Sequence, residues 1–241
     1  MALFYLWFRL KMRLDKYLSQ STGFSRKEVK KMLHKGMISV DGEVTKDASL
    51  HVAADAHVLM EGYPVEPPGD KYIMLYKPEG FVCSNDDGTH PTVVSLIELP
   101  RADELHICGR LDVDTTGLVL LTSNGKWAHR ITSPKHKTGK VYRVETADPI
   151  PQEAIEQFET GLMLASERFR TKPARLEILS EHEALVTLTE GRYHQVKRMF
   201  AAIGNRVVGL HRESVGAIEL DEMLEPGEYR FLSDAEVESV Q

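Results

Sequence analysis

The segment at residues 61–70 constrains the fold most, because it divides the chain into two unequal parts. It contains three prolines and two glycines in ten positions. This composition predicts a stiff, extended linker and disfavours a helix or strand that crosses it. The chain has 241 residues, enough for one or two domains with buried cores. We therefore expect a small module at residues 12–60 and a larger domain at 71–241.

The first residues are apolar but do not have the pattern of a secretory signal. They lack a basic start and a small-residue cleavage site. Met12 has the features of a natural start, so residues 1–11 are expected to be an upstream extension. No run of 18 uncharged apolar residues occurs, so a transmembrane helix is not expected. The two cysteines, Cys83 and Cys108, are too few for a disulfide framework, which favours a cytoplasmic protein.

The larger part of the chain is predicted to be rich in strands. Apolar and β-branched runs alternate with turn signals from residue 71 onward. The predicted strands lie at 72–76, 118–122, 141–145, 175–179, 184–189 and 207–210, and the predicted helices at 151–160 and 193–203. Several strands follow one another without a helix between them. This order predicts an α+β fold with a mixed, mainly antiparallel sheet rather than a doubly wound one.

The amino-terminal module begins with two short helices and a hairpin. Leu14 and Leu18 have helical spacing, and Ser25 with Glu28 forms a capping box that opens a second helix. Asp41-Gly42 predicts a tight turn between two strands. Because acids are nearly absent from the polar face of the second helix, phosphate binding is a better interpretation of that face than solubility alone. The basic residues proposed for this role are Arg26, Lys27, Lys30 and Lys31.

The charge distribution permits an RNA substrate although the net charge is −6. Residues 9–46 carry a local charge of +6, and residues 101–143 and 190–212 carry +4 each. The tail at 213–241 carries −8. Screening limits the reach of each charge to about 10 Å at moderate salt, so the local clusters decide whether a polyphosphate can bind.

Residues 109–118, Gly-Arg-Leu-Asp-Val-Asp-Thr-Thr-Gly-Leu, form the most informative functional segment. A charged loop that runs directly into a buried strand can hold a carboxylate at a cleft while the strand behind it stays rigid. Taken alone, Asp112 and Asp114 are more typical of hydrogen-bonded turn caps. The decapeptide, however, resembles the Gly-Arg-Leu-Asp signature of the RsuA/RluA group of pseudouridine synthases. That resemblance implies a catalytic role for Asp112 and a capping role for Asp114.

Three further segments resemble motifs of the same group. Leu-Tyr-Lys-Pro-Glu-Gly at residues 75–80 is similar to its Asn-Lys-Pro-x-Gly motif, although Tyr76 stands where asparagine is usual. Residues 140–142 are similar to its Lys-x-Tyr motif, and residues 191–199 to its Gly-Arg-x-His-Gln motif. The amino-terminal module resembles the small RNA-binding domain named for ribosomal protein S-four. Residues 83–93 indicate the RsuA branch, which modifies small-subunit ribosomal RNA.

The resemblance implies specific roles for residues of this chain. Tyr142 would stack on the target base, and Lys197 would pair with Asp112, with Arg198 as the alternative partner. Arg110 would fill the gap in the RNA or hold a phosphate. Arg192 and Arg198 join it as RNA-binding candidates. The reaction breaks the bond between sugar and base nitrogen and rejoins the base through carbon 5, so it needs no redox cofactor.

Other features of the chain give no support to a cofactor or a metal. Neither a nucleotide-binding glycine loop nor a histidine pair with metal-ligand spacing occurs. The expected partner is small-subunit ribosomal RNA, in the form of an assembly intermediate, and a monomer without membrane contacts is expected. Two other functions are less well supported. A non-catalytic RNA-binding assembly factor on the same fold would not need the Asp112 carboxylate, and a metal-dependent RNA hydrolase using Asp112 and Asp114 lacks the further carboxylate and histidine ligands that such sites gather.

Overall fold

The computed structural model describes residues 11–53, 56–133, 135–165 and 168–240. They separate into two compact units: one extends to Asp70 and includes Leu99–Arg101, and the other comprises Lys71–Glu98 and the residues from Ala102 onward. The extension predicted at residues 1–11 lies, apart from residue 11, outside the described residues.

The described residues of the first unit form two helices and six short strands. The helices are α1 Leu14–Thr22 and α2 Arg26–His34, and the strands are β1 Met12–Arg13, β2 Ile38–Val40, β3 Glu43–Val44, β4 His51–Val52, β5 Val58–Met60 and β6 Tyr63–Pro64. The predicted capping box is present at the start of α2, where the side chains of Ser25 and Glu28 each bond the other residue's backbone. Leu14, Leu18 and Leu33 lie in the apolar core of the unit, with no exposed surface.

Two tight turns connect the strands of this unit. Asp41 and Gly42 both have positive φ and join β2 to β3, as the sequence predicts. Glu61 and Gly62 have the same backbone pattern and join β5 to β6. The first part of segment 61–70 is therefore a hairpin rather than an extended linker, because its Glu-Gly pair forms a two-residue turn that returns the chain to the sheet.

The second unit is built on a nine-stranded sheet. Its strands are β7 Tyr72–Lys77, β8 His106–Ile107, β9 Thr116–Thr122, β10 Lys140–Thr146, β11 Arg175–Ile178, β12 Glu183–Leu188, β13 Val207–Val215, β14 Ile218–Glu219 and β15 Tyr229–Phe231. Its helices are α3 Gly125–Thr132, α4 Glu153–Thr160, α5 Gln195–Ala202 and α6 Asp234–Glu238, with 3₁₀ turns at Val93–Leu96 and Ala102–Glu104. The order along the sheet is β11-β12-β10-β13-β9-β7-β15, with β8 and β14 paired to β9 and β13.

The sheet is mixed and mainly antiparallel, as predicted. Among the described strands only β9 and β13 pair in parallel. Two apolar clusters lie against the sheet, one around Phe158 of α4 and Phe200 of α5, the other around Trp127 of α3. Both helix predictions start too early: α4 begins at Glu153 and α5 at Gln195. Segment 109–115 thus leads into a central strand and is backed by a rigid sheet.

Candidate active site

The segment around Asp112 is held from one side by the buried ammonium group of Lys77. This nitrogen donates hydrogen bonds to the carbonyl oxygens of Pro78 at 3.0 Å, Val113 at 3.2 Å and Thr115 at 2.6 Å. The residue has no exposed surface, and burial lowers the pKa of its amine. Lys77 therefore fixes the two carbonyl groups that flank Asp114, so the end of the loop cannot shift without leaving buried acceptors unpaired.

The other end of the loop is held by the buried guanidinium group of Arg212 on β13. Its Nε donates to the carbonyl oxygen of Leu118 at 2.7 Å, and its Nη2 donates to that of Gly109 at 3.0 Å. The backbone of Arg212 lies so close to Gly117 that a Cβ atom at this position would be 2.3 Å from the Arg212 carbonyl oxygen. Glycine is thus required at 117, where φ is +105°.

Asp112 lies between His194, at the N-cap of α5, and Lys197, in the first turn of that helix. Its Oδ2 is 3.3 Å from Lys197 Nζ, and its Oδ1 is 3.4 Å from His194 Nε2. The Asp112 side chain is 27% exposed, so solvent or a ligand can reach the carboxylate. One oxygen of the carboxylate thus faces an ammonium group and the other faces an imidazole ring.

Asp114 does more than cap a turn, the role that the sequence suggests for it. Its Oδ1 lies 2.6 Å from Lys197 Nζ, and the hydrogen bond from Lys197 lowers the pKa of Asp114. Burial acts to lower the pKa of Lys197, but the hydrogen bond to Asp114 and the charge of Asp112 outweigh it and raise that pKa. One ammonium group is thus shared by two carboxylates and stays charged.

The turn before α5 directs His194 towards the loop, and the first turn of the helix does the same for Lys197. His194 has a positive φ of 48°, and its side chain does not cap the helix. Its ring stacks on that of Tyr193 with centroids 3.8 Å apart. The side chain of Gln195 accepts a hydrogen bond from the backbone nitrogen of Arg192 at 2.9 Å and donates one to Glu190 at 2.8 Å. This local network delays the helix start to Gln195.

Asp112 faces a cleft of about 780 Å³ in the second unit. The cleft is lined by most of the predicted catalytic and RNA-binding residues of this unit, namely Arg110, Asp112, Tyr142 and Arg192, and also by Lys140, His194 and Arg212. Tyr142 is half-buried on β10 and packs at the edge of the apolar cluster. The volume is in the range of ligand-binding pockets and can accept a nucleotide base.

Two predicted RNA-binding arginines of the second unit hold a neighbouring segment. Arg192 donates to the carbonyl oxygens of Phe169 and Arg170, and Arg198 donates to those of Tyr193 and Ala165. Of the two basic residues proposed as partners of Asp112, Lys197 and not Arg198 lies within ion-pair distance of it.

In the first unit, the basic residues of α2 divide into two kinds. Arg26 donates to Asp15 at 2.8 Å, and Asp15 also pairs with Arg13. Burial acts to raise the pKa of Asp15, but the hydrogen bonds from the two arginines outweigh it and lower that pKa. Lys27, Lys30 and Lys31 are exposed, and are therefore open to a phosphate ligand.

Sequence reasoning missed the roles of Lys77, Arg212 and His194. Lys77 and His194 lie inside segments that resemble family motifs, so the sequence marked their positions as important but did not predict their contacts. Arg212 had no sequence signal beyond its place in a basic segment. Within the described ranges, no group of three or more histidine, cysteine, aspartate or glutamate side chains is arranged to hold a metal ion.

The family that matches the second unit is RNA pseudouridylate synthase, over residues 71–202. The chain belongs to this family. An S4 domain matches residues 12–58. A protein of Vibrio parahaemolyticus called ribosomal small subunit pseudouridine synthase A is 54% identical over 231 residues, which cover 95% of this chain and 99% of the relative. A Salmonella typhimurium protein of the same name is 49% identical over 230 residues, covering 95% of this chain and all of the relative.

A solved structure supports the same assignment. The crystal structure of a pseudouridylate synthase matches with a TM-score of 0.70 and 46% identity, covering 95% of this chain and 100% of the other. The pseudouridine synthase family and the fold are therefore those that the motifs predicted. In the part of the chain that the structure describes, no helix is long and apolar enough to cross a membrane.

Proposed function

We propose that this pseudouridine synthase isomerises a uridine of small-subunit ribosomal RNA. The observation that carries this proposal is the position of Asp112 in the cleft, 3.3 Å from a shared ammonium group and on a loop held at both ends by buried cations. The relatives from Vibrio and Salmonella are named for the small ribosomal subunit and align over nearly the full chain. Ribosomal RNA of that subunit is therefore the first substrate to test.

Asp112 is the catalytic carboxylate in this proposal. An ionised aspartate can attack the sugar or the base, or it can stabilise positive charge on the sugar while the base is detached. The shared Lys197 ammonium group lies 3.3 Å from this carboxylate and places a positive charge beside it. Unstacking the target base costs a few kcal/mol, and stacking on Tyr142 offsets part of this cost.

RNA is positioned by basic residues of both units. Lys27, Lys30 and Lys31 contact phosphates from α2, and Arg26 supports that helix through Asp15. Arg110 lies at the cleft and is exposed, so it can fill the gap left by the base or bind a phosphate. Arg192 and Arg198 contact the RNA at the edge of the cleft while they donate hydrogen bonds to the carbonyl oxygens of Phe169, Arg170 and Ala165.

We assign RNA binding and catalysis to separate domains of the chain. Residues 12–60 form the RNA-binding domain, residues 61–70 connect it, and residues 71–241 form the catalytic domain. The substrate is an assembly intermediate of the small subunit, and the protein acts as a monomer in the cytoplasm, where such intermediates are found. The non-catalytic assembly factor is not favoured, since the relatives are named as synthases.

Tritium release from RNA labelled at carbon 5 of uracil tests this function. Small-subunit and large-subunit transcripts, both lacking modifications, are incubated with the enzyme, alongside partly assembled small subunits. We expect release from small-subunit substrates only, and faster release from assembly intermediates than from free RNA. Release from the large-subunit transcript alone would overturn the substrate assignment, and release from none of them would overturn the activity.

A further inference from the structure

Two cations lie side by side at the catalytic cleft, Lys140 on β10 and Arg212 on β13. Both line the cleft that contains Asp112. They flank Gly109: a Cβ atom built on this glycine would be 3.7 Å from Arg212 Nη1 and 3.8 Å from Lys140 Cε. The absence of a side chain at 109 thus leaves room for both cationic side chains next to the catalytic loop.

Neither cation is neutralised by a carboxylate. Lys140 Nζ donates to the carbonyl oxygen of Thr138 at 3.1 Å, and Arg212 donates only to carbonyl oxygens. In the described residues, no carboxylate oxygen lies within 4.0 Å of the Lys140 ammonium group or the Arg212 guanidinium group. Two like charges in a partly buried site without an anion are unfavourable for the free protein. Such an arrangement points to a ligand that brings or develops negative charge.

Several charged or titratable groups line the same cleft as Lys140, namely Cys83, Asp87, Arg110, Asp112, Tyr142, Lys172, Glu190, Arg192, Tyr193, His194 and Arg212. On β12 it faces Leu188, and on β13 it faces Val215, with Arg212 nearby on the same strand. Asp112 lies in the same cleft but pairs with Lys197 and His194. Tyr142 lies on the strand of Lys140 itself. Among the described residues, none of the acids that line the cleft forms an ion pair with the Lys140 amine.

The position of Lys140 indicates which part of the RNA it meets. Residues 140 and 142 are two apart on one strand, so their side chains leave the same face of the sheet. Lys140 thus lies next to the ring on which the target base is proposed to stack. It is half-buried, whereas Arg110 is exposed. The base enters the cleft while the phosphates stay outside it, so Lys140 is placed to meet the base and Arg110 to meet the backbone.

We propose that Lys140 is a further catalytic residue, whose ammonium group donates a hydrogen bond to a carbonyl oxygen of the target uracil and stabilises the negative charge that forms there. Arg212 is a positioning residue that holds the loop and adds to the positive field. This inference rests on the proposed isomerisation and deepens it.

The charge develops on the base by either route that is open to Asp112. If the bond between C1′ and N1 breaks, its electron pair goes to N1 and is spread over O2 and O4 of the uracil. If Asp112 adds to C6, the electron pair of the C5–C6 double bond moves towards C5 and O4. On the first route C5 then bonds to C1′, displacing Asp112 if the carboxylate has bonded to the sugar. On the second route the bond between N1 and C1′ breaks as C5 bonds to C1′, and the bond between Asp112 and C6 then breaks with its electron pair returning to the carboxylate. On both routes C5 loses its proton to water, N1 takes up a proton from water, and Lys140 keeps its own proton throughout. Preorganised donors of this kind stabilise developing anions in many enzymes.

The acidity of Lys140 supports the same role. Burial, together with the charge of Arg212, lowers the pKa of this amine to about 8. The group is therefore protonated at neutral pH and is a stronger hydrogen-bond donor than an ordinary lysine. Above pH 8 it loses its proton, and a role that requires the ammonium group is lost with it.

The test compares Lys140→Met, Lys140→Arg and the exposed control Lys126→Met in single-turnover tritium release between pH 6 and 9.5. We expect Lys140→Met to lower the rate roughly 100-fold or more, with RNA affinity changed by less than about threefold. The wild-type rate should fall as pH rises above 8. Lys140→Arg stays charged, so it should keep measurable activity, and its rate should not decrease above pH 8.

Three results would overturn the proposal for Lys140. One is a Lys140→Met rate within about threefold of wild type. Another is a wild-type rate that rises through pH 8 and stops rising in Lys140→Arg, which would indicate a neutral amine acting as a base. The third concerns stability: relief of charge repulsion should raise the melting temperature of Lys140→Met, and a large decrease would assign the lysine a structural role. Absence of release by wild type would instead refute the proposed function itself.

Discussion

Replacing Lys77 with methionine is expected to release the end of the catalytic loop. The substitution keeps the apolar stem of the side chain and removes the donor to the carbonyl oxygens of Pro78, Val113 and Thr115. Lys77 itself has no exposed surface, and its hydrogen bond to Thr115 is buried, so at least that oxygen cannot turn to water. The change therefore tests the role of one ammonium group with little change in side-chain volume.

Two opposing effects set the magnitude for Lys77→Met. An unpaired buried acceptor costs roughly 1–3 kcal/mol, and up to three acceptors lose their donor. Removing a desolvated ammonium group returns several kcal/mol. We expect a net loss of roughly 2–4 kcal/mol in unfolding free energy. A shift of the loop by about 1 Å would lower the rate by roughly 100-fold, even where the variant is fully folded.

Urea unfolding measures the first effect, and single-turnover tritium release at a temperature where the variant is folded measures the second. Lys126→Met serves as the control, since Lys126 is exposed at the start of α3. If Lys77→Met loses less than about 1 kcal/mol of unfolding free energy and keeps its rate within about threefold, Lys77 does not hold the catalytic loop in place. Loss of stability with an unchanged rate would show that Lys77 supports the fold without positioning Asp112.

Three further predictions concern the fold and the RNA interface. In urea titrations, Gly117→Ala should lower the unfolding free energy by roughly 3 kcal/mol or more, because the new Cβ would lie 2.3 Å from the Arg212 carbonyl oxygen. The control Gly227→Ala, also at positive φ but with open space around it, should lower it clearly less. Glu236→Gln should cost roughly 1–3 kcal/mol at pH 7, because the hydrogen bond from Arg230 lowers the pKa of Glu236 from 4.5 to about 2. That stabilisation is complete above pH 4.5 and disappears as pH falls through 2, so wild type and variant should converge in acid melts; a difference that persists at pH 2 would contradict the ion pair. Lys30→Glu with Lys31→Glu should weaken RNA binding and reduce the slope of log affinity against log salt by about 2; an unchanged slope would make this face of α2 ordinary solvated surface.

Local signals in the sequence predicted the parts of the fold that depend on neighbouring residues. The capping box at Ser25 and the Asp41-Gly42 turn need only three or four residues each, so their chemistry is visible in a single sequence. The pairing of the strands could be predicted as mainly antiparallel, because several strands follow one another without a helix between them. Glu61-Gly62 was missed as a turn because the prolines after it dominate the composition of that segment.

The contacts that position the site could not be predicted in the same way. Lys77 reaches carbonyl groups 36 and 38 residues away, and Arg212 reaches carbonyl groups 94 and 103 residues away. Backbone acceptors carry no residue-specific signal, so no sequence pattern marks them. The ion pair between Asp114 and Lys197 depends in addition on the delayed start of α5, which the apolar periodicity of that helix does not reveal.

The most direct test of the account is a comparison of two neighbouring carboxylates in the same loop. Single-turnover tritium release from small-subunit RNA is measured for wild type, Asp112→Asn and Asp114→Asn, with RNA binding and melting temperature as controls. Because Asp112 is the proposed catalytic group and Asp114 only shares its lysine, we predict no detectable release by Asp112→Asn and a reduced but measurable rate for Asp114→Asn. Release by a folded Asp112→Asn protein at a rate near wild type, or loss of activity only in Asp114→Asn, would contradict the assignment of Asp112.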